Sequence, residues 1–486
     1  MVPGNSGSEP ETAGSIRVLR IFGKNVMPLA IIGCGFPERF CLRRALVVSV
    51  AFWAAAMAAA AANDFADQSQ HQWHQWRGPL ANGTAPHGDP PITWSEGQNI
   101  RWKARLPGEG SATPIIWEDQ VFVATAVPTE RTVAALPEIR QEPPGGYRTQ
   151  RPKNLYRFEV LSLDRHTGEL LWRSTAIEAL PHEGRHSTNT YASASPITDG
   201  HRLYVSFGSQ GIFCFDLEGN LQWSRQLGQM ITRSGWGEGA SPALYGDSLV
   251  VNWDHEGQSF LVVLDARTGE TRWRVERDEV SNWSTPLVVP REDVTQVIVN
   301  ATRRTTAYDL ATGGILWECG GQTTNVIPSP VLLEDLVIVM SGFQGTLACA
   351  IPLSATGDIT GTDDIVWRHT GQTPYVPSPL LVGERLYFTG VNSAILTCLD
   401  ARTGRVVTEP RRLPGLRTLY ASPVAAQGRV YLVSREGVAL VIKDQAGWEV
   451  LATNRLDEGF DASPAIVGRQ LFLRGNQSLY CIAEEK

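Results

Sequence analysis

Short apolar runs, each bounded by turn residues, recur along the chain from about residue 100 to the C terminus. The runs are rich in Val, Leu, Tyr and Phe, and pairs such as Asp-Gly and Gly-Asp separate them. This pattern predicts short β-strands that are joined by tight turns. Clear examples are VFVAT, LYVSF, LVVNW, LYFTG and VYLVS.

A small hydroxyl residue followed by proline introduces each group of strands. Apart from a first interval of 82 residues, successive prolines are 41 to 49 residues apart. Each interval has room for four strands, which is the content of one propeller blade. The eight pairs therefore predict an all-β fold, an eight-bladed β-propeller of four-stranded antiparallel blades. They lie at Thr113-Pro114, Ser195-Pro196, Ser241-Pro242, Thr285-Pro286, Ser329-Pro330, Ser378-Pro379, Ser422-Pro423 and Ser463-Pro464.

The two ends of the repeat predict how the ring closes. The last unit ends after three strands, whereas the apolar run at 100–106 precedes the first unit and belongs to no group of four. Trp102 stands twelve residues before Pro114, the same spacing as between Trp367 and Pro379. We therefore expect 100–106 to be the outer strand of the eighth blade, which removes two sheet edges.

A second sequence motif, an Asp followed by Thr-Gly and then by Trp, recurs after the third strand. It reads LDRHTGELLW at 163–172, LDARTGETRW at 264–273 and YDLATGGILW at 308–317. An indole that recurs in six blades does not indicate six active sites, and we expect it to pack against the neighbouring blade. The six residues are Trp102, Trp172, Trp223, Trp273, Trp317 and Trp367.

With this motif and eight units, the chain resembles the quinoprotein-type (PQQ-like) propeller family over about residues 100–486. That family includes dehydrogenases that use pyrroloquinoline quinone (PQQ) and the BamB-like lipoprotein of the outer-membrane β-barrel assembly machinery. Because one propeller carries enzymes and scaffolds alike, the resemblance implies a fold and leaves the function open. The dehydrogenases carry two adjacent cysteines over the cofactor, whereas this chain has no adjacent cysteines and no Cys-x-x-Cys-His haem motif.

The residues before the propeller form two segments. Within 1–62, two arginines precede the uncharged run ALVVSVAFWAAAMAAAAA, which predicts a leader with a signal peptide. Because this run is just long enough to span a bilayer, an uncleaved N-terminal anchor is the alternative. An irregular segment follows at 63–99. We expect an exported protein, periplasmic or associated with the cell envelope, that meets a membrane only through an uncleaved N-terminal segment.

Charge and cysteine content narrow the possible partners. A formal net charge of −7 does not favour a nucleic-acid partner. Five cysteines follow the leader, and four of them fall at one interior position of the third strand. Since equivalent positions on separate blades lie too far apart for a disulfide, we expect free thiols in the core.

The stretch His182-Glu183-Gly184-Arg185-His186 matches the HExxH pattern of zinc proteases. That mechanism needs the pattern on a helix, so that both imidazoles face one metal ion. Here the stretch follows Pro181 in a segment between two predicted strands, and Gly184 lies inside it. The sequence therefore predicts no metal site.

Candidate ligand-binding residues are those near the axis that do not repeat. Loops that enter the first strand of each blade, or that join its second and third strands, open on one face of a propeller, where they surround the axis. The residues in these loops combine aromatic, amide and charged side chains, and the alternative is that they only fill the channel. They are Tyr191, Trp236, Glu238, Asn252, Asp254, Trp283, Asn325, Tyr375, Tyr420 and Asp461.

Two extra segments, at 128–154 and 173–190, belong to the same predicted face. Long ordered loops in compact domains are usually functional. We therefore expect a non-catalytic binding or scaffold propeller that uses this face for a protein partner or a small ligand, and no catalytic residue is predicted.

The alternative is a PQQ-dependent oxidoreductase. The resemblance implies that its cofactor would lie on the axis against Trp236 or Trp283, with a calcium ion held by Glu238, Asn252 or Asp254.

Overall fold

The structure is a computed structural model that describes residues 65–138 and 141–484. The predicted leader and signal peptide at 1–62 lie outside these ranges. Within the described residues, no helix combines the length and the hydropathy that a membrane crossing requires.

Eight sheets, arranged as an eight-bladed β-propeller, confirm the predicted fold. A single strand, β1 (Ile100–Arg105), precedes the first blade. Blade 1 contains β2 (Ile115–Trp117), β3 (Gln120–Thr132), β4 (Asn154–Asp164) and β5 (Leu170–Ala179). Blade 2 contains β6 (Ile197–Thr198), β7 (Arg202–Ser206), β8 (Ile212–Asp216) and β9 (Leu221–Arg225). Blade 3 contains β10 (Ala243–Tyr245), β11 (Ser248–Trp253), β12 (Ser259–Asp265) and β13 (Thr271–Arg277).

The remaining blades follow the same order. Blade 4 contains β14 (Leu287–Val289), β15 (Gln296–Asn300), β16 (Arg304–Asp309) and β17 (Ile315–Gly320). Blade 5 contains β18 (Val331–Leu333), β19 (Leu336–Ser341), β20 (Leu347–Pro352) and β22 (Trp367–His369), and the short β21 (Gly357–Asp358) pairs in parallel with β17. Blade 6 contains β23 (Leu380–Val382), β24 (Arg385–Thr389), β25 (Ile395–Asp400) and β26 (Val406–Arg412). Blade 7 contains β27 (Val424–Ala426), β28 (Arg429–Val433), β29 (Val438–Lys443) and β30 (Glu449–Arg455). Blade 8 contains β31 (Ala465–Val467), β32 (Gln470–Arg474), β33 (Ser478–Ile482) and β1.

The ring closes through the two ends of the repeat, as predicted. Strand β1 pairs antiparallel with β33, and Trp102 lies opposite Cys481. Blade 8 is therefore built from both ends of the propeller sequence, so that its outer strand belongs to the segment that precedes blade 1. This pairing gives β33 a hydrogen-bonded neighbour where the chain would otherwise leave an open edge.

The recurring hydroxyl residues before proline form a belt of hydrogen bonds around the axis. The backbone N–H of Ser195 donates to Oγ of Ser241 in the next blade, at 2.9 Å, and the N–H of Ser378 donates to Oγ of Ser422 at the same distance. Each hydroxyl thus satisfies a buried backbone donor of its neighbour, which explains why a small hydroxyl residue recurs there. The same bond links Thr113 to Ser195, Ser241 to Thr285, Ser329 to Ser378 and Ser422 to Ser463.

Five of the six repeated tryptophans dock their blade on the next one. Nε1 of Trp102 donates to the carbonyl oxygen of Arg165 at 2.9 Å, and its ring lies on Gly168, where a Cβ atom would come within 2.6 Å. Gly168 has φ = +75°, a conformation that favours glycine. Four further tryptophans make the equivalent bond, namely Trp172, Trp223, Trp273 and Trp367, whereas Trp317 donates to the side chain of Gln296.

The segment that precedes β1 crosses one end of the axis. Trp73 is fully buried and pairs with Ile116 of β2, and the backbone N–H of Ala85 donates to Ala425 of β27 at 2.8 Å. Arg77 is also buried, and its guanidinium donates to the carbonyl oxygens of Pro379 and Pro423, which directly precede the first strands of blades 6 and 7. This segment contacts the first strands of blades that are far apart in the sequence. It therefore closes the propeller at the end where turns join the first and second strands of the blades.

The cysteines of the propeller are buried and free, in agreement with the sequence prediction. They are Cys214, Cys319, Cys349, Cys398 and Cys481.

Candidate ligand site on the propeller axis

A cavity of about 430 Å³ lies on the axis. Its lining includes seven of the eight belt hydroxyls, and Trp76 of the N-terminal segment belongs to the lining as well. Nε1 of Trp76 donates to Oγ of Ser329 at 3.0 Å. The indole of Trp76 therefore lies beneath the belt and closes one end of the cavity.

An aromatic cluster forms one wall of this cavity. The ring of Trp236 meets Phe343 edge to face, with centroids 6.3 Å apart, and Phe343 stacks on Tyr375 at 4.6 Å. His186 meets the other side of Trp236 at 5.9 Å. These residues come from loops of different blades, so the wall forms only when the ring is assembled.

The backbone before Trp236 turns sharply at η, the short 3-10 helix Arg233–Gly235. Ser234 and Gly235 both have positive φ, at 55° and 68°. A Cβ atom on Gly235 would lie 2.5 Å from the ring of Tyr147, which comes from the insertion at 128–154. Glycine is thus required here both by its conformation and by the close approach of the insertion.

The second half of that insertion packs behind Trp236. The backbone N–H of Arg148 donates to the carbonyl oxygen of Ser234 at 2.9 Å, and Oγ1 of Thr149 donates to that of Gly235 at 2.6 Å. These two bonds fix the loop that carries Trp236. The insertion therefore lies on the face of the propeller that carries the aromatic wall, as the sequence predicts.

The axial cavity also has a polar part. The guanidinium of Arg435 lies over the ring of Tyr420, 4.5 Å from its centroid, and Nε of Arg435 pairs with Oδ1 of Asp461 at 2.6 Å. Burial raises the pKa of Asp461, although Arg435 opposes this effect. Both Tyr420 and Asp461 line the cavity.

Nine of the ten predicted binding residues line one or both of two cavities. Trp236, Tyr375, Tyr420 and Asp461 line the axial cavity. A smaller cavity of about 50 Å³ lies beside it and is lined by Tyr191, Glu238, Asn252 and Asp254. Trp283 lines both cavities, because its ring lies between them.

Three of the predicted residues, Asn252, Asp254 and Asn325, are buried and do not line the axial cavity. The carboxylate of Asp254 forms a bidentate ion pair with Arg277, at 2.9 and 3.0 Å, and both side chains are almost completely buried. Asp254 also accepts a hydrogen bond from Asn282 at 2.6 Å. Asn325 is buried as well, with φ = +56°, and lines neither of the two cavities.

Three aromatic residues of the axial cavity were not among the sequence candidates. Phe343 lies in the loop between β19 and β20, where its position between two glycines in SGFQG was a signal that the prediction did not use. The sequence suggested a role for His186 only in the HExxH pattern, as a metal ligand. Trp76 precedes the first repeat unit, so the spacing of the repeats does not predict its position on the axis.

The family of the chain follows from a match to a family model described as "Outer membrane protein assembly factor BamB". The matches cover residues 157–409 and, overlapping with them, 262–486. The chain belongs to this family. No curated protein gives a significant sequence match to the chain.

Solved structures of BamB and of PQQ enzymes share the fold. BamB from Moraxella catarrhalis aligns with 80% of this chain and 97% of its own length, at a TM-score of 0.53 and 11% identity. A europium-containing methanol dehydrogenase aligns with 86% of this chain and 92% of its own length, at a TM-score of 0.58 and 10% identity. Quinohemoprotein alcohol dehydrogenase from Comamonas testosteroni covers 88% of this chain and 85% of its own length, at a TM-score of 0.56 and 9% identity. At these identities the similarity concerns the fold alone.

The axial residues do not fit the cofactor of the PQQ enzymes. PQQ is a tricarboxylic acid, and a buried carboxylate needs cationic or N–H partners. Among the described residues that line the axial cavity there is no Lys or Arg, and the nearby guanidinium of Arg435 is already paired with Asp461. Asn252 and Asp254, which the sequence offers as cation ligands, line the smaller cavity, and the carboxylate of Asp254 is already paired with Arg277.

Proposed function

We propose that this member of the BamB family is a non-catalytic binding propeller that holds a small, uncharged ring compound in its axial cavity. The observation that carries this proposal is the cavity of about 430 Å³, which has an aromatic wall and a floor closed by Trp76. Its volume is within the range of pockets that enclose small molecules. The signal peptide predicted at 1–62 supports a location outside the cytoplasm.

The lining suits a molecule with a flat apolar face and polar edges. Trp236 and Tyr375 offer ring faces for stacking, on which aromatic and sugar rings bind well. A belt hydroxyl such as that of Ser241 accepts a backbone N–H through its oxygen and keeps its own proton to donate. Hydroxyl groups on the edge of a ring compound would pair with these donors.

The packing of the insertion favours an enclosed ligand over a protein partner, the other occupant that the sequence predicts. The backbone N–H of Arg148 and the hydroxyl of Thr149 donate to the loop of Trp236, so this part of the insertion supports the cavity wall. A protein partner would bind at the mouth of the cavity and leave the aromatic wall inside it without a contact, whereas a small molecule would fill the cavity.

The test uses 4-nitrophenyl β-D-glucoside, an uncharged compound that combines an aromatic ring with a sugar, and isothermal titration calorimetry. We expect saturable binding to the wild-type chain and a loss of about tenfold or more in affinity for Trp236→Ala. Tyr245→Ala, at an exposed position outside the cavity, is the matched control and should bind as the wild type does. PQQ, titrated in parallel with calcium, should show no saturable binding.

Two results would reject the proposal. One is saturable binding of PQQ that Trp236→Ala abolishes, which would indicate the oxidoreductase. The other is glucoside binding that Trp236→Ala and Tyr245→Ala leave equally unchanged, since the ligand would then bind outside the axial cavity.

A further inference from the structure

The small cavity beside the axis brings together His182, Glu183 and Glu238. One possible ligand atom of each residue lies within 4.8 Å of those of the other two. Glu183 is buried, and the other two side chains are half-buried. The cavity has a volume of about 50 Å³, which is enough for an ion with about one water molecule.

The three residues come from the loops of two blades. His182 and Glu183 lie in the loop between β5 and β6, and Glu238 lies in the loop between β9 and β10. The remaining histidine of the HExxH stretch, His186, is exposed and contacts Trp236 at the axial cavity. The stretch is therefore not a zinc-protease motif, because its second imidazole does not join the first.

Neighbouring polar groups hold the carboxylates in place. Thr232 donates to Glu183 through its hydroxyl at 2.6 Å and through its backbone N–H at 3.1 Å. Ser209 donates to Glu238 in the same way, with its backbone N–H at 2.7 Å from Oε2 and its hydroxyl at Oε1. A carboxylate oxygen that accepts one hydrogen bond keeps a second lone pair. Such outer partners orient the ligands in metal sites.

The imidazole faces the carboxylates through Nε2. This atom lies 3.9 Å from Oε1 of Glu238 and 2.7 Å from the carbonyl oxygen of Met230. To bind a metal ion, Nε2 would release its contact with the carbonyl oxygen and offer its lone pair to the ion.

An independent observation points into the same cavity. The side chain of Asn252 lines it and is only 3% exposed. Its Nδ2 donates to Oδ1 of Asn282 at 2.9 Å, whereas its own Oδ1 has no hydrogen-bond partner among the described residues. A buried amide oxygen without a partner costs about 1–3 kcal/mol, and a cation would remove this cost.

The adjacent carboxylates also favour a cation. Carboxylate oxygens of Glu183 and Glu238 lie within 4.8 Å of each other in the small cavity. Two acids that are buried side by side repel each other unless a proton or a metal ion lies between them.

We propose that His182, Glu183 and Glu238 bind one divalent transition-metal cation, with Oδ1 of Asn252 as a further ligand. An imidazole combined with carboxylates suits Zn²⁺ or Mn²⁺, whereas Ca²⁺ and Mg²⁺ prefer oxygen ligands alone. The donors surround the ion from two blades, so the ion would fix the loop of blade 2 to that of blade 3. The site does not depend on a ligand in the axial cavity.

The test measures zinc on the tag-free full chain. The protein is treated with EDTA, dialysed, loaded with ZnCl₂ and freed of excess metal, and bound zinc is determined by mass spectrometry. We expect one Zn²⁺ for each wild-type chain, and a Kd that increases by about 100-fold or more in His182→Ala and in Glu238→Gln. Zinc should also raise the Tm of the wild type and not that of these variants.

Two matched controls test the ligand set. His186→Ala removes the other imidazole of the same stretch, and Glu279→Gln removes a buried carboxylate that lies outside the cluster. Both should retain one zinc ion with the affinity of the wild type. The proposal is overturned if neither Zn²⁺ nor Mn²⁺ binds stoichiometrically to the wild type, or if His182→Ala and Glu238→Gln bind as the wild type does. An equal loss in His186→Ala would also overturn this ligand set, while circular dichroism establishes that each variant is folded.

Discussion

The ring of Phe343 stacks on the ring of Tyr375, with the centroids 4.6 Å apart and the planes 26° apart. The same phenyl ring meets Trp236 edge to face at 6.3 Å. Phe343 therefore joins two aromatic residues that approach the axis from different blades. Without it, Trp236 and Tyr375 would have no common contact, and the wall of the axial cavity would consist of separate side chains.

Replacement of Phe343 by Ala should weaken binding of the nitrophenyl glucoside by about fivefold, because an aromatic contact of this kind contributes about 1 kcal/mol. Isothermal titration calorimetry measures the effect. Phe343→Tyr keeps the ring and should retain the affinity. Equal affinities for Phe343→Ala and Phe343→Tyr would show that this ring does not support the site.

Replacement of Trp102 by Ala should decrease the free energy of unfolding by about 3–5 kcal/mol, since it removes a buried indole from the junction between blades 8 and 1. Urea unfolding measures this loss. Leu221→Ala, at a half-exposed position of β9, is the control and should cost less than about 1 kcal/mol. If the two variants were equally stable, closure of the ring would not depend on the Trp102 contact.

Replacement of Arg77 by Met should destabilise the N-terminal segment. Nη1 and Nη2 of Arg77 donate to the carbonyl oxygens of Pro423 and Pro379, both at 2.8 Å, and a methionine leaves these buried acceptors without a partner. We expect a loss of about 3 kcal/mol in the free energy of unfolding, and faster proteolysis within 65–99. Limited proteolysis with mass spectrometry locates the cleavage.

The exposed Arg101 supplies the matched control for this change. Arg101→Met should leave both the stability and the cleavage pattern as in the wild type. Cleavage of Arg77→Met at the wild-type rate would show that the segment is held by its other contacts alone.

The buried carboxyl of Glu279 should make stability depend on pH. Burial raises its pKa from 4.5 to about 7, while Arg277 and the backbone N–H groups of Arg303 and Arg304 oppose the shift. Because the folded state holds the proton more tightly than the unfolded state, the contribution of Glu279 is fully present below pH 4.5 and is lost as the pH rises through 7. The loss amounts to about 3 kcal/mol.

Urea unfolding of wild type and Glu279→Gln at several pH values measures this dependence. The difference in the free energy of unfolding between the two proteins should change by this amount between pH 4.5 and pH 8. Glu276→Gln, which replaces an exposed side chain paired with Arg274, should produce no such change. A pH-independent difference between wild type and Glu279→Gln would contradict the expected shift.

Features that the chain repeats were predictable, because each depends on a short segment. The spacing of the Ser-Pro and Thr-Pro pairs predicted eight blades, and the unmatched strand at 100–106 predicted the closure through Trp102. A repeated residue has similar surroundings in most blades, so one physical explanation covers five of the six tryptophans. The Trp and Thr-Gly motif was correctly interpreted as a contact between blades on this ground.

The sites were predictable only in part, because their residues do not repeat. Trp236 and Asp254 were placed together by their position near the axis, yet they line different cavities. Asp254 is paired with Arg277, which lies 23 residues further along the chain at the end of β13. No local pattern distinguishes a carboxylate that faces a cavity from one that forms a buried ion pair.

The sequence by itself thus determined the architecture, since strand periodicity, turn residues and the docking tryptophan act over a few residues and recur in each blade. Only the tertiary structure decided which loops meet. It placed Trp76 beneath the belt, Phe343 between Trp236 and Tyr375, and Glu238 beside His182 and Glu183. The reason is physical: these contacts join segments that are far apart in the chain, and they exist only when the closed ring and the packed insertion bring their loops to one place.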